Sequence, residues 1–187
     1  MYFKKLMQPE ECLKTTTHFK GTSLTVREDL VLLPSGIEFQ REIIEHSSSV
    51  VILPVDAFNN ILLVKQYRHA IKEFTIEAPA GSINQNESPL NAANRELEEE
   101  TGYHANSLKF LGTFWSSPGY CNENLHAFIG QSLTLVESCQ EIDESIILQK
   151  IPLEKISTML TKNEIKDSKT ISIITIGLRY LGLSNKI

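Results

Sequence analysis

The chain has 187 residues, room for one compact domain or a core domain with a small appendage, and too few for two full enzyme domains. Hydrophobic residues make up 41% and charged residues 22%, a balance that excludes wholesale disorder and coiled-coil or collagen architecture. Eighteen Lys and Arg against 23 Asp and Glu leave a net charge of -5, which argues against a dedicated nucleic-acid binder because a phosphate backbone demands a concentrated basic surface.

At the start of the chain, Lys4 and Lys5 are followed by Gln8, Glu10 and Glu11 where a signal peptide needs an apolar core, so export is not expected. Cys12, Cys121 and Cys139 are odd in number and widely spaced, which supports neither a disulfide framework nor a two-Cys metal knuckle, and the cytoplasm is the expected location. Cys121 reads as a small half-buried side chain. From His18 to Pro54, Leu24 and Val26, Leu30 and Leu32, then Ile43 alternate with polar neighbours around a Pro34-Ser35-Gly36 turn, the pattern of a small antiparallel sheet. Val50–Leu53 and Ile61–Val64 flank Asp56–Asn60 and read as a hairpin of central strands. Runs this short fall far below the about 18–20 apolar residues that span a bilayer, so no membrane partner is expected.

Between Ser88 and Thr101 the period changes. Ser88 suits an N-cap, Pro89 the first turn, and Leu90, Ala93, Leu97 and Thr101 recur at helical steps until Gly102 supplies the stop. Leu108–Trp115 and Leu125–Leu135 then read as strands around a Ser116–Gly119 turn, and Ile151–Leu160 and Lys169–Leu183 as closing helices. Phe110, Phe114 and Trp115 are expected in the core or at an interface, with Tyr120 the better stacking residue. His18, His46, His104 and His126 show no metal-ligand spacing.

Within the helix, Glu96, Glu98, Glu99 and Glu100 put four carboxylates into five positions, offset only by Arg95. Like charges three or four residues apart destabilise an exposed helix, so the acidic side of Glu96, Glu99 and Glu100 is expected to face something positive. Hard divalent cations take oxygen ligands, and Mg2+ is held by a few carboxylates together with substrate phosphates. Ala92, one turn earlier, leaves room for a hydrated ion, and Arg95 can hold Glu99 four residues on.

The pattern G-x5-E-x7-R-E-U-x-E-E-x-G-U, with U apolar or aromatic, is matched by Gly81, Glu87, Arg95, Glu96, Leu97, Glu99, Glu100, Gly102 and Tyr103. In this the sequence resembles the Nudix hydrolases. The resemblance implies an α/β/α sandwich with a mixed sheet, preceded here by the small N-terminal antiparallel sheet, with 1–47 as a dimerisation and substrate-cover subdomain and 48–187 as the hydrolase domain. It implies a cofactor of Mg2+, or Mn2+, held by Glu96 and Glu100 with Glu99 and the carbonyl of Ala80. Gly81 is expected to let the backbone turn that carbonyl inward, and Glu87, Arg95 and Gly102 to be structural.

The flanking segments Val64–Arg68, Ile76–Gly81 and Ser117–Glu123 are similar to the ADP-ribose pyrophosphatase branch. The implied reaction is hydrolysis of ADP-ribose to AMP and ribose 5-phosphate; another nucleoside diphosphate sugar such as GDP-mannose, or a sensing module without catalysis, are the alternatives. Arg68 offers a planar fork to a diphosphate, with Lys65, His69 and Lys72 adding positive charge. Arg41 and Tyr120 are further substrate candidates, and Glu77 either meets the substrate or closes an ion pair. The acidic loop Glu141–Glu144 is the expected source of an extra carboxylate over the metal, Glu144 as a ligand; related enzymes carry two acids spaced two apart there, one acting on water and one near metal, whereas this chain has Ile142 two before Glu144. Either Glu141 takes over, Glu144 does both jobs, or the base lies elsewhere, Glu99 included. A homodimer is expected, because the small sheet cannot cover its own apolar face and the resembling branch is dimeric through that sheet.

Overall fold

A computed structural model describes residues 8–136 and 146–183, and the chain divides into two compact units. The first comprises Met1–Ser47 together with Trp115–Glu123. Its alternating residues form the antiparallel meander β1 (Glu11–Lys20), β2 (Leu24–Leu32) and β3 (Glu38–His46), with Gly36 left-handed in the turn between β2 and β3. The sheet begins at Glu11, ahead of the His18 start that alternation suggests. Every residue of β1 is exposed, so its sequence carries no buried face to alternate with. The Trp115–Glu123 loop is laced to β3: the Ile44 amide donates to the Tyr120 carbonyl at 2.7 Å, and the His46 amide to Asn122 Oδ1 at 2.8 Å.

The second unit contains β4 (Ser49–Pro54), β5 (Asn60–Arg68), β6 (Glu73–Glu77), β7 (Ala80–Ser82), α1 (Pro89–Thr101), β8 (Tyr103–Trp115, its last residue grouped with the first unit), β9 (Asn124–Leu135), β10 (Ile147–Pro152), α2 (Leu153–Thr161) and α3 (Ser168–Tyr180). A mixed sheet runs β7-β4-β9-β8, with β4 parallel to β9 and antiparallel to β7; a second, antiparallel sheet runs β10-β5-β6.

The expected hairpin of β4 and β5 does not form. One bridge joins Val55 to Ile61, and the strands then part into different sheets. Both runs are buried throughout their apolar residues, and such strands carry no one-sided pattern to specify a pairing partner. The strand β10 likewise takes Ile151 and Pro152 from the expected start of α2, and α3 ends at Tyr180, before Gly182 turns left-handed.

Side-chain alternation on the mixed sheet sorts the core into two layers. Val50, Ile52 and Phe128 pack with Ala92 and Ala93 of α1. Val51, Leu53, Ala127 and Ile129 pack the opposite way, with Ile173, Ile174 and Leu178 of α3 and with Ile61 and Leu63 of the second sheet. This is the α/β/α sandwich. Gly177 permits the close approach of α3, since a Cβ there would stand 2.3 Å from Leu53 Cδ2. Ala92 is therefore core rather than a border of open space, and Leu90, 48% exposed, lies off the buried stripe. Phe110 and Trp115 are exposed, so neither is core, whereas Phe114 packs against the core. Among the described residues no helix is long and apolar enough to cross a membrane.

Candidate active site

Local sequence explains α1. The Ser88 hydroxyl accepts the Asn91 amide at 3.2 Å, Pro89 occupies the first turn, and Gly102 closes the helix in the left-handed conformation with its amide on Glu98 O. Arg95 is the hub of the acidic face. Its Nε and Nη2 donate to the two oxygens of Glu87 at 2.9 and 3.0 Å, and Nη2 also reaches Ser82 O at 2.9 Å. The same Nη1 donates to Glu96 at 2.7 Å and to Glu99 at 2.9 Å. The Glu87 hydrogen bond, opposed by partial burial and reinforced by Glu96 and Glu99, holds the Arg95 guanidinium still more firmly protonated than usual. In return Arg95 holds the Glu87 carboxyl below its ordinary value, against the opposing effect of burial.

Gly81 makes room for a carboxylate. Its backbone is not among those of positive φ; instead a Cβ would fall 2.1 Å from Glu96 Cδ, so the missing side chain is the space in which that carboxylate sits. Glu100 is buried at 4% exposure, and its Oε2 accepts the Ala80 amide at 3.2 Å. Glu96 and Glu99 thus converge on one positive nitrogen while Glu100 meets the backbone beside Gly81. Among the described residues no group of three acidic, His or Cys side chains is gathered into a ready metal cluster. The donor set nevertheless fits a hard divalent cation: oxygen atoms only, with Glu96 and Glu99 held together on the Arg95 guanidinium and a glycine clearing the seat of Glu96.

Arg68 and Glu77 resolve into an ion pair. Arg68 Nε and Nη2 donate to the two Glu77 oxygens at 2.8 and 2.7 Å, the Thr75 hydroxyl adds a bond of 2.5 Å, and Lys169 of α3 donates to Glu77 as well. Glu77 is 2% exposed. Burial alone would push its carboxyl up, but the Arg68 hydrogen bond, the charge and hydrogen bond of Lys169, and Thr75 prevail and bring it down to about 2. The Arg68 fork engages Glu77 while its side chain stays 44% exposed, and the guanidinium also feels the charge of Glu100. Lys65 lies over the Phe74 ring at 5.5 Å. Sequence reasoning missed Thr75, which shares a face of β6 with Glu77, and Lys169, whose relevance depends on β6 and α3 meeting.

In the first unit, Arg41 pairs with Glu10 at 2.5 and 3.1 Å and lies 4.8 Å over the Phe39 ring. With Arg27, Ile43, Trp115, Pro118 and exposed Tyr120 it lines a cleft of about 350 Å³. Glu141 and Glu144 lie outside the described residues.

A mixed sheet between helices, one of which carries the Gly81–Tyr103 acidic pattern, defines a Nudix domain, and a model of the NUDIX domain matches residues 45–171. The chain belongs to the Nudix hydrolase family, whose members generally need divalent metal ions. It is 35% identical over 154 residues to an ADP-ribose pyrophosphatase of Bacillus subtilis (strain 168), covering 81% of this chain and 83% of that one. It is 34% identical over 176 residues to a methanol dehydrogenase activator of Bacillus methanolicus, covering 93% of each. A crystal structure of an ADP compounds hydrolase superposes with a TM-score of 0.83 at 23% identity, over 96% of this chain and 98% of that one, a likeness of fold.

Proposed function

We propose that the protein adds water across the diphosphate of ADP-ribose, releasing AMP and ribose 5-phosphate, with Mg2+ as the working metal. The observation that carries this reading is the convergence of Glu96 and Glu99 on one cationic point beside Glu100 and the Ala80–Gly81 backbone. Glu96, Glu99, Glu100 and the Ala80 carbonyl would hold the metal. A divalent cation held there would supply positive charge to the diphosphate and lower the pKa of a water for attack on phosphorus. Arg95 keeps two of the carboxylates aligned, and Arg68, close enough to feel Glu100, places positive charge beside the same residues. Glu99, Glu141 and Glu144 are the candidates to take the proton from that water, and their single Gln variants identify which one does. The cleft with Tyr120 and Arg41 has the aromatic and cationic character that suits a nucleoside.

We assign residues 1–47 to dimerisation and 48–187 to the hydrolase domain. A strand exposed along all ten residues, with exposed Leu13, Phe19 and Phe39, supports a homodimer built on the first sheet. The exposed free thiol of Cys12 suits a reducing cytoplasm.

Assay of a panel of nucleoside diphosphate compounds, ADP-ribose and GDP-mannose included, with and without Mg2+, tests the reading. Phosphate-monoester products from ADP-ribose only with metal are expected; preferential cleavage of GDP-mannose moves the assignment to that sugar, and no cleavage of any compound moves it to a sensing module. The match to the methanol dehydrogenase activator over 93% of each chain favours a second role, stimulation of an alcohol dehydrogenase. Addition of the protein to methanol dehydrogenase, read as the rate of alcohol oxidation, tests it.

A further inference from the structure

Only Ala78 and Pro79 separate β6, in the second sheet, from β7, in the mixed sheet, and the chain must place Ala80 and Gly81 accurately as it crosses. The crossing is held from several sides. The Pro79 carbonyl accepts the Ile52 amide of β4 at 2.9 Å, and the Ala80 amide donates to Glu100. The remaining restraints come from the start of α3, some ninety residues further along the chain. Thr170, fully buried, accepts the Ala78 amide on Oγ1 at 2.8 Å. Lys169 donates to Glu77, the last residue of β6, and to Asp167 Oδ1 at 3.0 Å.

The direction of the Thr170 contact is fixed by its own proton. A hydroxyl has one hydrogen, and Thr170 gives it to Asp167 Oδ2 at 2.5 Å, leaving oxygen lone pairs for the Ala78 amide. Asp167 is in turn fixed as the N-cap of α3, accepting the Thr170 amide at 2.9 Å. Asp167, Lys169 and Thr170 therefore form one hydrogen-bonded unit that grips consecutive residues two and three positions before Ala80.

We propose that this unit is a positioning clamp for the metal site: Lys169 and Thr170 set the β6–β7 crossing so that Ala80 and Gly81 meet Glu100 and Glu96. The inference rests on the metal-site reading above and extends it to two residues in a different part of the chain. Groups that orient metal ligands through hydrogen bonds commonly change metal affinity by 10–100-fold when removed.

The test is Mn2+ affinity of the full chain by titration calorimetry without substrate, alongside the metal-free melting temperature. Thr170→Val keeps the shape and removes the acceptor; Lys169→Met keeps the stem and removes the charge. Each should weaken Mn2+ binding by roughly 10–100-fold, while Thr170→Ser and Lys169→Arg restore it substantially. Should Thr170→Val fail to fold, the less buried Lys169→Met carries the decision. Glu100→Gln serves as the reference. If it loses Mn2+ binding while folded Thr170→Val and Lys169→Met bind as the parent does, the clamp alone is refuted. If Glu100→Gln also binds Mn2+ with parental affinity, the metal-site reading fails and the clamp with it.

Discussion

Replacement of Gly81 by Ala perturbs the acidic site without removing a charge. The backbone at Gly81 is not left-handed, so Ala introduces no conformational strain. Its methyl group would stand 2.1 Å from Glu96 Cδ and 2.2 Å from both oxygens, and the carboxylate must withdraw by about 1 Å to reach a tolerable separation. Because the obstruction is the end of a flexible side chain, the relief is rotation of Glu96, which breaks its 2.7 Å bond to Arg95. An ångström of misplacement at a reacting centre can cost about 100-fold in rate, equivalent to about 2.7 kcal/mol of activation free energy. The lost partly exposed ion pair costs about 1 kcal/mol of stability or less. Turnover of ADP-ribose across a Mg2+ series and the metal-free melting temperature separate the two effects. A roughly 100-fold fall in kcat, a higher half-saturating Mg2+ concentration and a nearly unchanged melting temperature are expected. Parental turnover with parental Mg2+ dependence would refute the claim that the space at Gly81 seats Glu96 for catalysis.

Glu96→Gln, Glu99→Gln and Glu100→Gln should each lower turnover by several orders of magnitude with the fold retained by circular dichroism; near-parental rates at saturating Mg2+ would remove those residues from the metal site. Arg68→Ala should raise KM and also lower stability by about 1.5–3 kcal/mol in denaturant unfolding, because it removes two charged hydrogen bonds to buried Glu77 and leaves Lys169 as its remaining cation; a change in KM alone would contradict the structural share of the pair. The depressed Glu77 pKa contributes stability that is fully present above the unfolded carboxyl value of 4.5 and is lost as pH falls toward about 2. That contribution is on the order of 3 kcal/mol, so Glu77→Gln should be less stable than the parent at pH 7 and lose much less between pH 5 and pH 2 by urea titration. Light scattering at micromolar concentration should give twice the 21.1 kDa chain mass, and deletion of residues 1–46 should yield a poorly soluble, weakly active core; a monomeric mass would end the dimer assignment.

The acidic helix was legible because its determinants are local. Ser88, Pro89 and Gly102 act within a turn of the residues they cap, and consecutive glutamates share a face by the helical period alone. The first sheet was legible from β2 onward for the same reason, alternation being a property of neighbours. β1 is not legible because both its faces are exposed, and the β4–β5 pairing is not fixed by the sequence because buried strands look alike to any partner. Gly81 shows a further limit: its identity reports a close approach by Glu96, fifteen positions on, that no local rule foresees. The Arg68–Glu77 pair is open in the sequence for want of β6, whose register sets Arg68 opposite Glu73 and on the same face as Glu77, so that the long Arg68 side chain runs back along the sheet to reach it. Lys169 lies ninety-two positions from Glu77, so its part in the network is a product of tertiary packing.

The Glu77 network also bears on why a charge is buried beside the site at all. Exchanging a buried ion pair for apolar residues of similar volume is often neutral or stabilising, so stability by itself is a weak reason to place a carboxylate here. What an apolar residue cannot supply is direction. Two cations and a hydroxyl arriving from β5, α3 and β6 itself restrict Glu77 to one orientation, whereas an aliphatic side chain would tolerate several. Since only two residues separate Glu77 from Ala80, an orientation fixed at the end of β6 is passed through a short, proline-stiffened crossing to the backbone beside Gly81. A network built for direction should show its loss as weaker metal binding as well as lower stability, and the conservative replacements Lys169→Arg and Thr170→Ser, which keep the donors and acceptors, should show little of either.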